Sequence, residues 1–271
     1  MLALNFTLIC MSPPLTANSS ATADGYLTFN WNSYHKNALM WSVAIGSMLG
    51  TLPFNLLYTR YGARWPLFFA GLISAFSTVL IPLAARTSFN FFLVLRVIQG
   101  VSYAADFSAM GMLVSRWASL KQNAFFISVL TCYSPLSSIL TNSISGVVCE
   151  SRFRWPAVFY GHSVVCVLLF GLWALLYDDH PQRTPFVSNV ELEKINRGKS
   201  KSHVQMDKFV PYKAICTAPV ILVVWLNAFA DLFSGMFLLM YAPSYFKYVL
   251  NFSVENTGII GIKLLLRLFC H

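Results

Sequence analysis

Charge is what this sequence has least of. Only 11% of its 271 residues are Asp, Glu, Lys or Arg, whereas soluble domains carry about a quarter. With 56% hydrophobic residues, the chain is excluded from the soluble class. It also lacks a continuous basic stripe. The net charge of +9 comes from lysines and arginines that fall between apolar runs, which excludes nucleic acid as a partner and points to a lipid bilayer. Paired cysteine spacings are missing too. Cys10, Cys132, Cys149, Cys166, Cys216 and Cys270 mostly lie in apolar runs, where cysteine packs as a small hydrophobe, so no chemistry is assigned to them. The apolar start "MLALNFTLICM" has neither a basic leader nor a small-residue cleavage site. It reads as the tail of a truncated helix rather than as a signal peptide.

What the chain does have is long apolar runs. A spanning helix needs about 20 largely apolar residues, and six stretches meet that need: 37–57, 66–85, 89–114, 123–148, 156–177 and 214–242. The expected fold class is an all-α membrane bundle of about six complete transmembrane helices, with truncated ones at each end. At the far end "TGIIGIKLLLRLFCH" begins like another span, but Lys263 and Arg267 interrupt it. The expected organisation is a transmembrane bundle over 1–177, a cytosolic linker over 178–212, and the start of a second bundle over 213–271.

Loop charge sets the orientation, because basic residues beside helix ends stay in the cytosol. Eleven lysines and arginines fall in one alternate set of loops and five in the other, which puts "YTRYGARW" at 58–65 inside. Sequons at Asn18 and Asn251 then face outward, where they are candidates for glycosylation. Gly62 lets the chain reverse tightly between two antiparallel helices. The linker carries a helix-start pattern in "SNVELEK", with Ser188 as cap and Glu191 three residues on.

An ionisable side chain at mid-membrane costs roughly 2.5–3.5 kcal/mol even on the lenient insertion scale, so it marks a pathway or an internal pair. Arg96, Asp106 and Asp231 are the three such positions. Helical spacing places Arg96, Gly100, Tyr103 and Phe107 on one stripe. Asp106 sits near the cytosolic end of its span and is expected to reach the interface. His162 reads as a packing residue that is able to titrate near neutral pH. Ser42, Gly46 and Gly50, and likewise Gly100, Ala104 and Ser108, recur every four residues as close-packing seams. Pro135 is expected to kink its span.

Several stretches, taken in order, carry a resemblance. They are "FNW" at 29–31, "RYGARW" at 60–65, "IPLAAR" at 81–86, "LRVIQG" at 95–100, "RW" at 116–117 and "WPAVFY" at 155–160. "DDHP" and "ELEKI" follow in the linker, then "APSYFKYVLNFS" at 242–253. The sequence resembles the major facilitator superfamily, and within it the anion and cation symporters that include sodium-phosphate cotransporters, sialin and the vesicular glutamate transporters. The resemblance implies two six-helix bundles rocking about a midplane site, with the complete spans here corresponding to the second to seventh helices. It implies that Arg96 faces the cavity and attracts a small anionic solute, and that Arg60 and Arg64 latch the two bundles together. It further implies that Asp231 lines the cavity. Tyr103 joins Arg96 and Asp231 as a candidate substrate contact, and Asp231 and Asp106 are the candidates for coupling to Na+ or H+; no other cofactor is expected.

The sequence departs from the family pattern at Thr59 and Asn55, where an acidic or small residue and a glycine are usual. That removes the basis for a charge relay within the loop. The vesicular glutamate transporters have a Glu near Tyr103 and a His near Met40, and both are absent here, which argues against glutamate. The function expected is cation-coupled symport of a carboxylate or phosphate across a plasma or vesicle membrane. The alternatives are a truncated form that does not transport and, more distantly, a seven-span receptor or an intramembrane enzyme using Asp106 and Asp231 together.

Overall fold

The computed structural model describes residues 2–11, 31–151, 153–184, 187–199 and 212–250. Its helices are α1 (Leu2–Met11), α2 (Ser33–Tyr61), α3 (Arg64–Thr87), α4 (Phe89–Trp117), α5 (Asn123–Thr131), α6 (Tyr133–Glu150), α7 (Arg154–Leu176), α8 (Asn189–Asn196), α9 (Tyr212–Thr217) and α10 (Pro219–Tyr248). Among the described residues five stretches are long and apolar enough to span a membrane: α2, α3, α4, the α5–α6 run to Cys149, and α7. The sixth expected span lies on α10, whose described apolar part is Pro219–Ala230.

The surface is inverted relative to a soluble protein. Leu175 on α7 is 78% exposed and Leu52 on α2 is 71% exposed. Apolar surface of this extent is a liability in water and a match for acyl chains. Inside, small residues let backbones meet. A Cβ placed on Gly46 would lie 3.0 Å from the Cα of Gly100, and one on Gly100 would collide with the Val43 carbonyl. The two seams read from sequence are therefore one joint between α2 and α4. Gly100→Ala is expected to force the helices apart at a cost of about 1–3 kcal/mol, measured as a lower thermal unfolding midpoint in detergent.

Between α3 and α4 only Ser88 is non-helical. Its N–H donates to Ala84 O at 3.1 Å, and its own carbonyl accepts from Phe92 N at 3.1 Å, so the reversal keeps its backbone bonds. The fourth run breaks at Cys132, one turn before Pro135, whose missing N–H leaves the i−4 carbonyl unpaired.

One cysteine expectation needs correcting. Cys10 at the end of α1 and Cys149 at the end of α6 form a disulfide across 139 residues. Disulfides persist in oxidising compartments, and the loop count assigns both of these helix ends to the exterior.

The described residues after α7 pack back on the helices. Ser188 caps α8 by accepting from Glu191 N at 3.2 Å, as its sequence pattern predicted. Beyond α8, the Lys199 ammonium donates to Ser115 O at 2.9 Å and Arg116 O at 3.3 Å. These are orphan carbonyls at the C-terminus of α4, where the helix dipole favours a cation. Partial burial holds the Lys199 ammonium below the usual lysine range.

Candidate functional site

The sequence-derived residues whose side chains are described fall into two places, a cavity and the α2–α3 turn. The cavity, about 270 Å³, lies between α1, α3, α4, α6 and α7. Its lining is mostly apolar, with hydroxyls from Ser74, Thr78, Ser134, Ser137 and Thr141.

Arg96 lines it while only 1% exposed. Its Nε donates to Leu39 O at 3.1 Å, and its Nη1 donates to Gln99 Oε1 at 2.8 Å. Gln99 Nε2 donates onward to Thr78 Oγ1 at 2.8 Å, and Thr78 donates to Ser74 O at 2.7 Å. Every partner in this chain is neutral, and no carboxylate pairs with Arg96 among the described residues. A guanidinium held in low dielectric without a counter-charge attracts an anion, and its planar fork suits a carboxylate or phosphate.

The remaining cavity residues of α4 are Gln99, Ser102, Tyr103 and Asp106. This corrects the stripe through Gly100 and Phe107. Gly100 packs on α2, and Phe107, 48% exposed, meets Tyr103 edge-on at 5.4 Å. The cavity face instead follows positions 96, 99, 103 and 106, an equally helical spacing. Asp106 is thus in the cavity wall with Arg96, not at the interface. Opposite, His162 lines the cavity from α7 with its Nδ1 at 2.8 Å from Val158 O. A carbonyl only accepts, so Nδ1 carries the proton in that contact. The backbone of Asp231 lies within α10, and its side chain is outside the described residues. Asn18 and Asn251 lie outside them as well.

The α2–α3 turn is completed by a residue that the sequence pattern did not single out. Gly62 has φ 80 and ψ −171, a region open essentially to glycine alone, and its N–H donates to Tyr58 O at 3.0 Å. Helix α3 begins two residues later with no side-chain cap of its own. The cap comes from Asp179, whose Oδ1 accepts from Ala63 N at 2.7 Å and whose Oδ2 accepts from Arg64 N at 3.3 Å. A carboxylate at a helix N-terminus satisfies orphan N–H groups and the dipole together. Arg116 at the end of α4 pairs with the same carboxylate at 2.8 Å, with the two side chains 10% and 12% exposed. Arg64 turns its Nε to Ala174 O at 2.9 Å and lies 3.9 Å from Asp178. That second pair is about one-third exposed and worth at most about 1 kcal/mol. Arg60 is exposed and makes no ion pair among the described residues. The acid missing at Thr59 is thus supplied from the end of α7. Only the "DDHP" stretch signalled it.

With helices and no strands among the described residues, an apolar exterior and a charged internal cavity, this is an integral, multi-pass membrane protein. The Major Facilitator Superfamily pattern matches residues 2–270. The chain belongs to that family. It is 27% identical over 236 residues to "Probable small intestine urate exporter" of Mus musculus, covering 86% of this chain and 47% of that protein. It is 24% identical over 250 residues to "Sialin" of Homo sapiens, covering 92% and 50%. To "Ascorbate transporter, chloroplastic" of Arabidopsis thaliana it is 25% identical over 261 residues, covering 94% and 48%. The chain spans about half the length of these relatives.

Proposed function

We propose that this protein acts in secondary active transport of an organic or inorganic anion, moved by alternating access and coupled in symport to Na+ or H+. The observation that carries the reading is Arg96, buried in the cavity with neutral partners only among the described residues. Urate and ascorbate, the solutes in two relatives' names, are organic anions at neutral pH, which supports the class. Asp106 and Asp231 are the carboxylates available for coupling. Arg60, Gly62 and Arg64 belong to the gate, with residues 1–177 as the bundle, 178–212 as the cytosolic linker, and 213–271 opening a second bundle. Asn18 and Asn251 are its glycosylation sites.

Binding and uptake are tested separately, because alternating access needs two related halves around the site and the chain spans about half of its relatives. The first assay is equilibrium binding of radiolabelled phosphate and of short carboxylates to the purified chain in nanodiscs. Arg96→Gln is expected to weaken anion binding about tenfold, the loss of one charge-assisted hydrogen bond. Unchanged affinity removes Arg96 from the site. The second assay is uptake into proteoliposomes under an imposed Na+ or pH gradient. Binding without uptake assigns the chain to the non-transporting reading.

A further inference from the structure

The cavity holds one carboxylate that the anion site does not use. Asp106 lies ten residues beyond Arg96 on the same helix and lines the same chamber, an axial offset of about 15 Å at 1.5 Å per residue. No hydrogen bond or ion pair reaches its carboxylate among the described residues. A carboxyl turned into a largely apolar chamber with no partner either takes up a proton or meets a positive charge from elsewhere. The titratable and charged groups around it are Arg96 and Tyr103 on α4, Tyr58 on α2, Tyr133 on α6, His162 and Cys166 on α7, and the chain's α-amino group, whose positive charge also acts on Asp106. On α1 and α3 the lining residues are uncharged. The nearest chemistry is therefore aromatic. Tyr103 and Tyr133 line the chamber together with Asp106. Tyrosine rings beside a carboxylate suit an organic ammonium, which takes a charge-assisted bond from the acid and cation–π contact from the rings.

We propose that Asp106, with Tyr103 and Tyr133, forms a subsite for an ammonium group, so that the preferred solute is amphoteric. Its acid group lies on Arg96 and its amino group lies several bonds away at Asp106. The proposal rests on the reading of Arg96 as the anion site, and it leaves ion coupling to Asp231.

The probes are ε-aminocaproate and caproate, equal in chain length and differing in the terminal amine, with glycine as the short amphoteric control. Each is titrated against the full chain in nanodiscs. Wild-type protein is expected to prefer ε-aminocaproate over caproate by about tenfold, as a desolvated cation site allows, and to bind glycine more weakly than ε-aminocaproate. D106N should shrink the preference to within about twofold, and D106E should retain most of it. Unfolding midpoints for each variant confirm that the protein is intact, and D106E keeps the test open if D106N does not fold. Three results overturn the proposal: no preference in wild type, a preference that survives D106N, or no binding of the aminocarboxylate at millimolar concentration. If D106N instead abolishes a pH dependence that both probes share, the carboxylate serves a proton and the subsite is wrong. Arg96→Gln separates the two readings. Loss of binding for both probes supports the anion site whatever Asp106 does, while unchanged caproate binding sinks that site and leaves the Asp106 preference to be judged on its own ratio.

Discussion

Replacing Asp179 with alanine is expected to destabilise the bundle by about 3–5 kcal/mol, the cost of breaking a buried ion pair by removing one partner. Asp179 is 8% exposed. Its loss strands the Arg116 guanidinium, at present 2.8 Å away, together with the Ala63 and Arg64 N–H groups. Asp179→Asn keeps an acceptor for Ala63 but places an amide against a second donor and removes the charge, so it should recover only part of the loss. A double-mutant cycle with Arg116→Met isolates the pairwise term. Thermal unfolding in detergent reads all of these, and a loss below about 1 kcal/mol, the value of an exposed pair, contradicts the burial described above.

Gly62→Ala is the second large effect, because two penalties coincide at one atom. The backbone at φ 80 and ψ −171 strains any side chain by about 1–3 kcal/mol. A Cβ there would also lie 2.8 Å from Asp179 Oδ1 and closer still to its other oxygen, so the carboxylate must leave the cap it provides. If the two penalties are linked in this way, Gly62→Ala in an Asp179→Ala background costs only the backbone strain. Full additivity of the two substitutions argues that the glycine and the acid act independently.

The spans were legible because each is long, and the bilayer demands continuous apolarity. The run read as 89–114 is the helix Phe89–Trp117, and the run read as 66–85 lies inside Arg64–Thr87. Gly62 was legible because a two-residue reversal between helices leaves few alternatives to glycine. The cavity face of α4 was not. Positions 96, 100, 103, 107 and positions 96, 99, 103, 106 are both helical stripes, and only the packing of Gly100 on Val43 decides which one faces the chamber. Asp179 was hidden for a different reason, as its partners lie 116 and 115 positions upstream and nothing local in "DDHP" encodes them. The Cys10–Cys149 bridge was equally non-local. Both cysteines sit in runs where a thiol and a methyl look alike.

The remote origin of the α3 cap bears on how the chain is made. Residues 62–64 leave the ribosome more than a hundred residues ahead of the acid that completes them, so the α2–α3 hairpin enters the bilayer with its turn unfinished. Synthesis delivers N-terminal parts first, and the turn closes only when α7 has been threaded and Asp179 arrives. Nascent chains arrested before that codon should therefore remain open to proteases at the turn, and those released after it should be protected.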